Sequence, residues 1–227
     1  MKNRIITLFM GISILCSCHE EEKQGLNPAP SKDFSYIYDE TTYVAYDKKE
    51  YNVKPVMTSA YIVYHADMAA VIDSLIEVNG IKYEKDPFGV GHYRGFADVP
   101  PVELQNVLCG TITGENLGSI LNLAPKLIYY SPNYMIVQNG QQLADYANFV
   151  LFEIDKEKHD IKLIKSFCEE HNSIFIGMSS YEYISNYGMI ACTIETGMTA
   201  LQFAYLLYKS GLVETASCAS LAVVEPA

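Results

Sequence analysis

The stretch from Asn148 to Val224 constrains the fold most, because its apolar pattern reads as strand, helix, strand, strand, helix, strand with boundary signals between the elements. In Asn148-Phe-Val-Leu-Phe-Glu-Ile154 a period of two puts Val150, Phe152 and Ile154 on one face and Phe149, Leu151 and Glu153 on the other. Asp160 to His171 carries Ile161, Ile164, Phe167 and Cys168 at helical spacing and leaves Lys162, Lys165 and Glu169 for water. Ile174 to Met178 and Gly188 to Ile194 read as strands, joined by a Tyr- and Ser-rich connection that ends at Asn186. Thr199 followed by Gln202 has the spacing of a capping box, so a second helix starts there, runs through Tyr208 and stops at Ser210-Gly211. Ala216 to Val224 supplies the last strand.

This order, taken as residues 146–227, predicts an α+β class and a ferredoxin-like (βαββαβ) unit: a four-stranded antiparallel sheet with both helices on one face. The other face would carry Phe149, Leu151, Met189 and Ala191, too apolar to meet only water. Either the upstream half of the chain covers it or another protein docks there.

Residues 58–140 repeat the order, though not the letters, and give a second ferredoxin-like unit. Its expected elements are strand Ala60 to Tyr64, helix Asp67 to Val78 with Asp67 as cap and Gly80 as stop, and strands Ile81 to Lys85 and His92 to Ala97. Helix Pro100 to Leu108 and strand Lys126 to Tyr130 complete it. Gly110 to Ala124 reads as a polar, mobile insert with a short helical piece at Leu117 to Leu121. In residues 36–57, Tyr36, Tyr38, Tyr43, Tyr46 and Tyr51 alternate as in an opening hairpin that packs on the body, or else as a surface on which sugars stack.

Ala200-Leu201, Ala204 and Tyr208-Lys-Ser-Gly-Leu212 resemble the A-L-x-x-A-x-x-x-Y-E-S-G-L-F run in the pro-regions of Bacteroidota subtilisin-like serine peptidases. Leu127-Ile-Tyr-Tyr-Ser-Pro-Asn-Tyr134, Asn139-Gly140 and Asn148-Phe-Val-Leu-Phe152 are similar to the segment that opens the last βαββαβ unit of those pro-regions, so the likeness spans roughly residues 125 to 213. Lys209 and Val213 stand where that family has Glu and Phe. Its P-L-W-Y segment is missing near Asn186-Tyr187, and its A-E-P-D-F strand is reduced to Ala219 to Ala227. The resemblance implies a stand-alone pro-region, without the catalytic domain that follows in the family, whose partner is a subtilisin-like serine peptidase and whose role is inhibitor or folding helper. It also implies that the tail Leu221, Ala222, Val223, Val224, Glu225, Pro226 and Ala227 lies in a peptidase cleft as an added strand. A surface lipoprotein for adhesion or glycan capture, or the remnant of a truncated peptidase, are the alternatives, because fold does not fix function.

The chain opens with Lys2 and Arg4, an apolar run from Ile5 to Leu15 too short to span a bilayer, and the lipobox Leu15-Cys-Ser-Cys18. Residues 1–17 are therefore expected to be a lipoprotein signal peptide, with Cys18 the lipidated first residue and a lipid anchor holding the protein to a membrane. The ordinary cleaved signal peptide is the alternative. His19-Glu-Glu-Glu22 resembles the export tag of Bacteroidota surface lipoproteins, which implies the outer membrane or cell surface. Residues 18–35, with Pro28 and Pro30, form a tether. Loss of Lys2 and Arg4 from the 16 basic residues, against 27 acidic ones, deepens the net charge from −11 to −13 and argues against nucleic acid as a partner.

Nothing in the sequence assembles a catalytic or metal centre. Phe88 to Gly95 lacks GxGxxG spacing and reads as a hairpin turn, and His65, His92, His159 and His171 are scattered. No Ser sits in a G-x-S-x-G elbow, and the adjacent Glu169 and Glu170 lie near a helix end facing solvent. Cys109, Cys168, Cys192 and Cys218 have apolar surroundings and no metal-ligand spacing, so buried free thiols are expected. The expectation is a non-enzyme with no cofactor and no metal.

Overall fold

A computed structural model describes residues 35–45, 47–86, 95–97, 99–145, 147–218 and 221–224. The described residues belong to one compact unit, Asp33–Ala227. It is an α+β protein with two antiparallel sheets.

The strands are β1 (Thr41–Val44), β2 (Glu50–His65), β3 (Lys82–Lys85), β4 (Val107–Thr113), β5 (Leu127–Ile136), β6 (Gln142–Asp145), β7 (Phe149–Glu153), β8 (Ile174–Met178), β9 (Tyr187–Ala191), β10 (Thr215–Cys218) and β11 (Leu221–Val224). The helices are α1 (Ala69–Val78), α2 (Gly118–Leu121), α3 (Ile161–Glu170) and α4 (Ala200–Lys209). The first sheet has the order β11-β6-β5-β2-β4-β3, with β1 also paired to β2, and the second has the order β10-β7-β9-β8.

The C-terminal elements follow their local signals. Asp160 caps α3 by accepting from the Lys162 amide, and Thr199 and Gln202 form the capping box of α4. Gly211, at φ 72°, closes α4 in the left-handed conformation. The last strand departs from expectation. Thr215–Cys218 pairs with β7 in the second sheet, whereas Leu221–Val224 pairs with β6 in the first, Val223 opposite Leu143. The third strand is also shorter than expected, ending at Ala191, because Thr193 caps a 3-10 turn over Ile194–Thr196.

The N-terminal half differs more. No helix forms over Pro100 to Leu108: only Val102–Leu104 makes a 3-10 turn, and Asn106 takes a left-handed φ of 53°. Val107–Thr113 is instead the strand between β2 and β3, where each residue gains ladder partners that a helix beginning at two consecutive prolines could not offer. The third strand is therefore not His92 to Ala97. Gly95 and Phe96 form a turn, while His92, Tyr93 and Arg94 lie outside the described residues. The expected insert, Gly110 to Ala124, is built into the body, since Gly110 to Thr113 belong to β4 and Leu117 and Ile120 are buried. Asp67 does not cap α1 with its side chain but sits in a preceding 3-10 turn, Ala66–Met68. Gly80, at φ 62°, does end α1.

The opening hairpin forms, with Tyr43 opposite Tyr51, but its second strand runs on without interruption into the strand expected at Ala60. Pro55 and Pro132 flank a register shift between Val56 and Ala60, where residues lacking an amide hydrogen interrupt the β2–β5 ladder.

Strand alternation sorts the core into layers. Ala60, Ile62 and Tyr64 of β2, Ile112 of β4 and Tyr130 of β5 pack with Ile72 of α1 and Ile120 of α2. On the opposite side, Tyr61, Val63, Cys109 and Tyr129 share one continuous core with Phe149, Met189 and Ala191 of the second sheet. The face that the C-terminal helices leave bare is thus covered by the upstream half of the chain.

Candidate docking surfaces

Two tyrosines of β5 tie the sheets together. The Tyr129 hydroxyl accepts from the Ala200 amide at 2.7 Å, and the Tyr134 hydroxyl lies 2.8 Å from the Thr199 hydroxyl. The first turn of α4 is therefore satisfied from the other sheet as well as by its own cap, and it is closed to ligands.

The residues expected to carry function fall into three groups. Cys18, the acidic run after it and the tether up to residue 34 lie outside the described residues; Ser35 opens a 3-10 turn, Ser35–Tyr38. Within the tail, Leu221 to Val224 form β11 at one edge of the first sheet; one side of its backbone is paired to β6. Glu225, Pro226 and Ala227 lie outside the described residues. In the Tyr-rich opening, Tyr36 is buried and Tyr43 and Tyr51 pack against the core, whereas Tyr38 is exposed. Tyr46 lies outside the described residues.

Among the described residues the histidines are not brought together, and His92 lies outside them. His65 is exposed at the end of β2, the His159 Nδ1 lies 3.1 Å from the Asp155 amide, and the His171 ring packs 4.5 Å from Phe167. Among the described residues no three His, Cys, Asp or Glu side chains gather as metal ligands. Cys109 and Cys168 are buried free thiols, and Cys192 and Cys218 are buried as well. Burial pushes the Cys168 thiol up to about 11. Burial also raises the Tyr61 phenol, with Cys109 and the Asp86 carboxylate, which accepts from Tyr61 at 3.0 Å, adding to the effect. These groups are held protonated inside the core and are poorly placed for acid–base work.

A cavity of about 170 Å³ lies between Tyr43 of β1, Tyr208 of α4 and Thr215 and Ser217 of β10, with Lys48 at its rim. Tyr43, Lys48, Tyr208 and Cys218 are its titratable lining, and no group of three or more His, Cys, Asp or Glu gathers there as metal ligands among the described residues.

One surface was not foreseen from the sequence. The β8–β9 connection holds Tyr181 and Tyr183 at 49% and 82% exposure, their rings 5.8 Å apart and within 28° of parallel. The visible signal was two aromatics two residues apart in a polar loop, Ser-Ser-Tyr-Glu-Tyr-Ile-Ser185, which carries no apolar periodicity to explain them.

No family model, no curated protein and no solved structure matches the chain.

Proposed function

We propose that the mature chain is a non-catalytic, lipid-anchored cell-envelope protein that binds a subtilisin-like serine peptidase in the manner of a free-standing pro-region, as inhibitor or folding helper. The observation that carries the proposal is the strand order. The sequence β7–α3–β8–β9–α4–β10 gives the sheet order β10-β7-β9-β8, in which the two strand–helix–strand halves interleave as in a ferredoxin-like unit. The sequence β2–α1–β3–β4–α2–β5 gives β5-β2-β4-β3, the same interleaving. Both orders support the kinship that the residues of 125 to 213 imply.

The edge position of β11 supports the mode of binding. An edge strand is paired along one side only, so its other side offers main-chain donors and acceptors to a strand of the peptidase cleft. Main-chain pairing tolerates varied sequences, and Pro226, which has no amide hydrogen, resists cleavage beyond the paired segment. The lipobox cysteine, Cys18, would place this surface at the outer membrane or cell surface.

Titration of the mature protein against subtilisin-like peptidases of the same cell tests the proposal. Tight inhibition is expected, lost when residues 222–227 are removed and reduced when only Glu225 to Ala227 are. Failure of every form to slow any such peptidase, or digestion of all forms as substrates, overturns it. Fatty-acid labelling tests the anchor: it should occur in the wild type and vanish in Cys18→Ala.

A further inference from the structure

Tyr181 and Tyr183 stand apart from the other aromatic pairs. Tyr43 and Tyr51 also stack, at 6.3 Å, but pack against the core, whereas Tyr183 exposes most of its surface. The loop that carries the exposed pair is held in place. The Ser180 amide and hydroxyl both donate to the Gly95 carbonyl, at 2.7 and 3.0 Å, and the Tyr181 amide donates to the Ser179 hydroxyl at 3.2 Å. A 3-10 turn over Glu182–Ile184 follows, and Lys156 Nζ donates to the Ser185 hydroxyl at 2.9 Å. Gly95, at φ 88°, lies so close beneath the Tyr181 ring that a Cβ there would meet it, so the ring rests on bare backbone. Among the described residues neither phenol makes a hydrogen bond.

We infer that Tyr181 and Tyr183 form a binding platform for neutral carbohydrate. Apolar rings held rigid in water gain by covering a flat C–H face, and the electron-rich face of a tyrosine favours the partly positive C–H groups of a sugar. Little conformational entropy remains to be lost on binding, because the loop is already ordered. The surroundings set the ligand class. Ser180, Glu182 and Ser185 adjoin the tyrosines along the chain; the Ser180 hydroxyl, already donating to Gly95, can still accept, the Ser185 hydroxyl, already accepting from Lys156, can still donate, and the Glu182 carboxylate accepts, as bonding to sugar hydroxyls requires. Glu182 lies between the two tyrosines in sequence, and a chain of net charge −11 repels anionic polymers, with Lys156 at Ser185 a local cation beside the loop. A stable protein interface buries about 800 Å² of total surface on each side around desolvated aromatic anchors, whereas two rings on one short polar loop offer only a small part of that area. The inference is independent of peptidase binding, which engages the opposite-sheet strand β11.

The test is native electrophoresis of the mature chain in gels containing neutral β-glucan, xylan or galactomannan, with alginate as the anionic polymer. Retardation is expected in at least one neutral gel and not in alginate. Tyr181→Ala and Tyr183→Ala should each weaken it about three- to tenfold, and Tyr183→Phe, which keeps the ring, by less than about threefold. Circular dichroism unchanged from wild type shows that the variants fold. No retardation in any neutral gel, retardation in alginate alone, or undiminished retardation of the double alanine variant overturns the inference. Loss of peptidase inhibition in that double variant, without any carbohydrate effect, overturns it in favour of a protein contact.

Discussion

The two βαββαβ segments share a strand order but reach it by different means. In the C-terminal one, α3 and α4 each run ten residues and each has a side-chain cap, so local chemistry fixes where the helices begin. In the N-terminal one, α1 has no side-chain cap and α2 is four residues long. What fixes that half is a sixteen-residue strand, β2, paired to β4 on one side and β5 on the other. One region is organised by local signals and the other by pairing between residues distant in sequence, and the two depend on each other through a shared core.

The largest expected effect comes from separating them. A fragment from Tyr146 onward keeps every cap but uncovers Phe149 and Met189, which are 1% and 2% exposed in the whole chain. Exposing two such side chains costs about 1.5–3 kcal/mol each, a large share of a domain's net stability. The fragment should retain mixed helix and sheet by circular dichroism but bind a hydrophobic dye and unfold at much lower urea than the full chain. Equal urea midpoints would mean that the C-terminal region is self-sufficient and that the shared core contributes nothing.

Gly177 sharpens the comparison at one position. A Cβ there would run into the Phe96 carbonyl, which is backbone from the N-terminal half and cannot rotate away. Gly177→Ala should therefore cost about 1–3 kcal/mol, read as a shift in urea midpoint, whereas Gly118→Ala, with open space at its Cβ and a place in α2, should be neutral or slightly stabilising. A Gly177→Ala variant as stable as wild type would mean that the two halves do not meet closely there.

This contrast also explains what the sequence made legible. Asp160, Thr199 with Gln202, and Gly211 announce their helices because a cap needs only residues three or four positions away. Val107-Leu-Cys-Gly-Thr-Ile-Thr113 announces nothing comparable. Its apolar residues suit several structures, Pro100-Pro101 imitates a helix start, and only β2 and β3, distant in sequence, decide the matter. The crossing of Leu221–Val224 to β6 was hidden for the same reason, since a strand carries no mark of which sheet it will join. Tyr181 and Tyr183 were visible as residues but not as a stacked and exposed pair, which depends on the backbone of Gly95 more than eighty positions upstream.

A smaller effect tests the hydrogen-bonded link between the sheets. Tyr134→Phe keeps the ring but removes the hydroxyl that lies 2.8 Å from Thr199 in a buried setting, and should cost about 1–2 kcal/mol by urea denaturation. Tyr134→Phe and Thr199→Ala together should cost less than the sum of the two, because each removes the same contact. Strict additivity would mean that the α4 cap works without help from the first sheet.

The smallest expected effect lies wholly inside the C-terminal region and concerns Cys168 on α3. Burial raises its thiol from 9.0 to about 11, with the Ser173 hydroxyl pulling modestly the other way and Glu169 adding to the rise. The folded state therefore holds the proton at a pH where the unfolded chain has released it, and stability contributed by this group is complete below pH 9.0 and declines as pH rises toward about 11. Cys168→Ser, whose hydroxyl does not titrate there, should show a shallower decline in urea midpoint across that window than wild type, even if its midpoint at neutral pH is lower. The same burial should keep Cys168 unmodified by iodoacetamide at pH 8 until denaturant is added, because the thiolate is the attacking species and the folded core suppresses it. Rapid alkylation of Cys168 in the native protein would show that α3 opens from the second sheet far more readily than its capped, well-packed ends imply, and that local signals do not secure this region as the comparison with the N-terminal half requires.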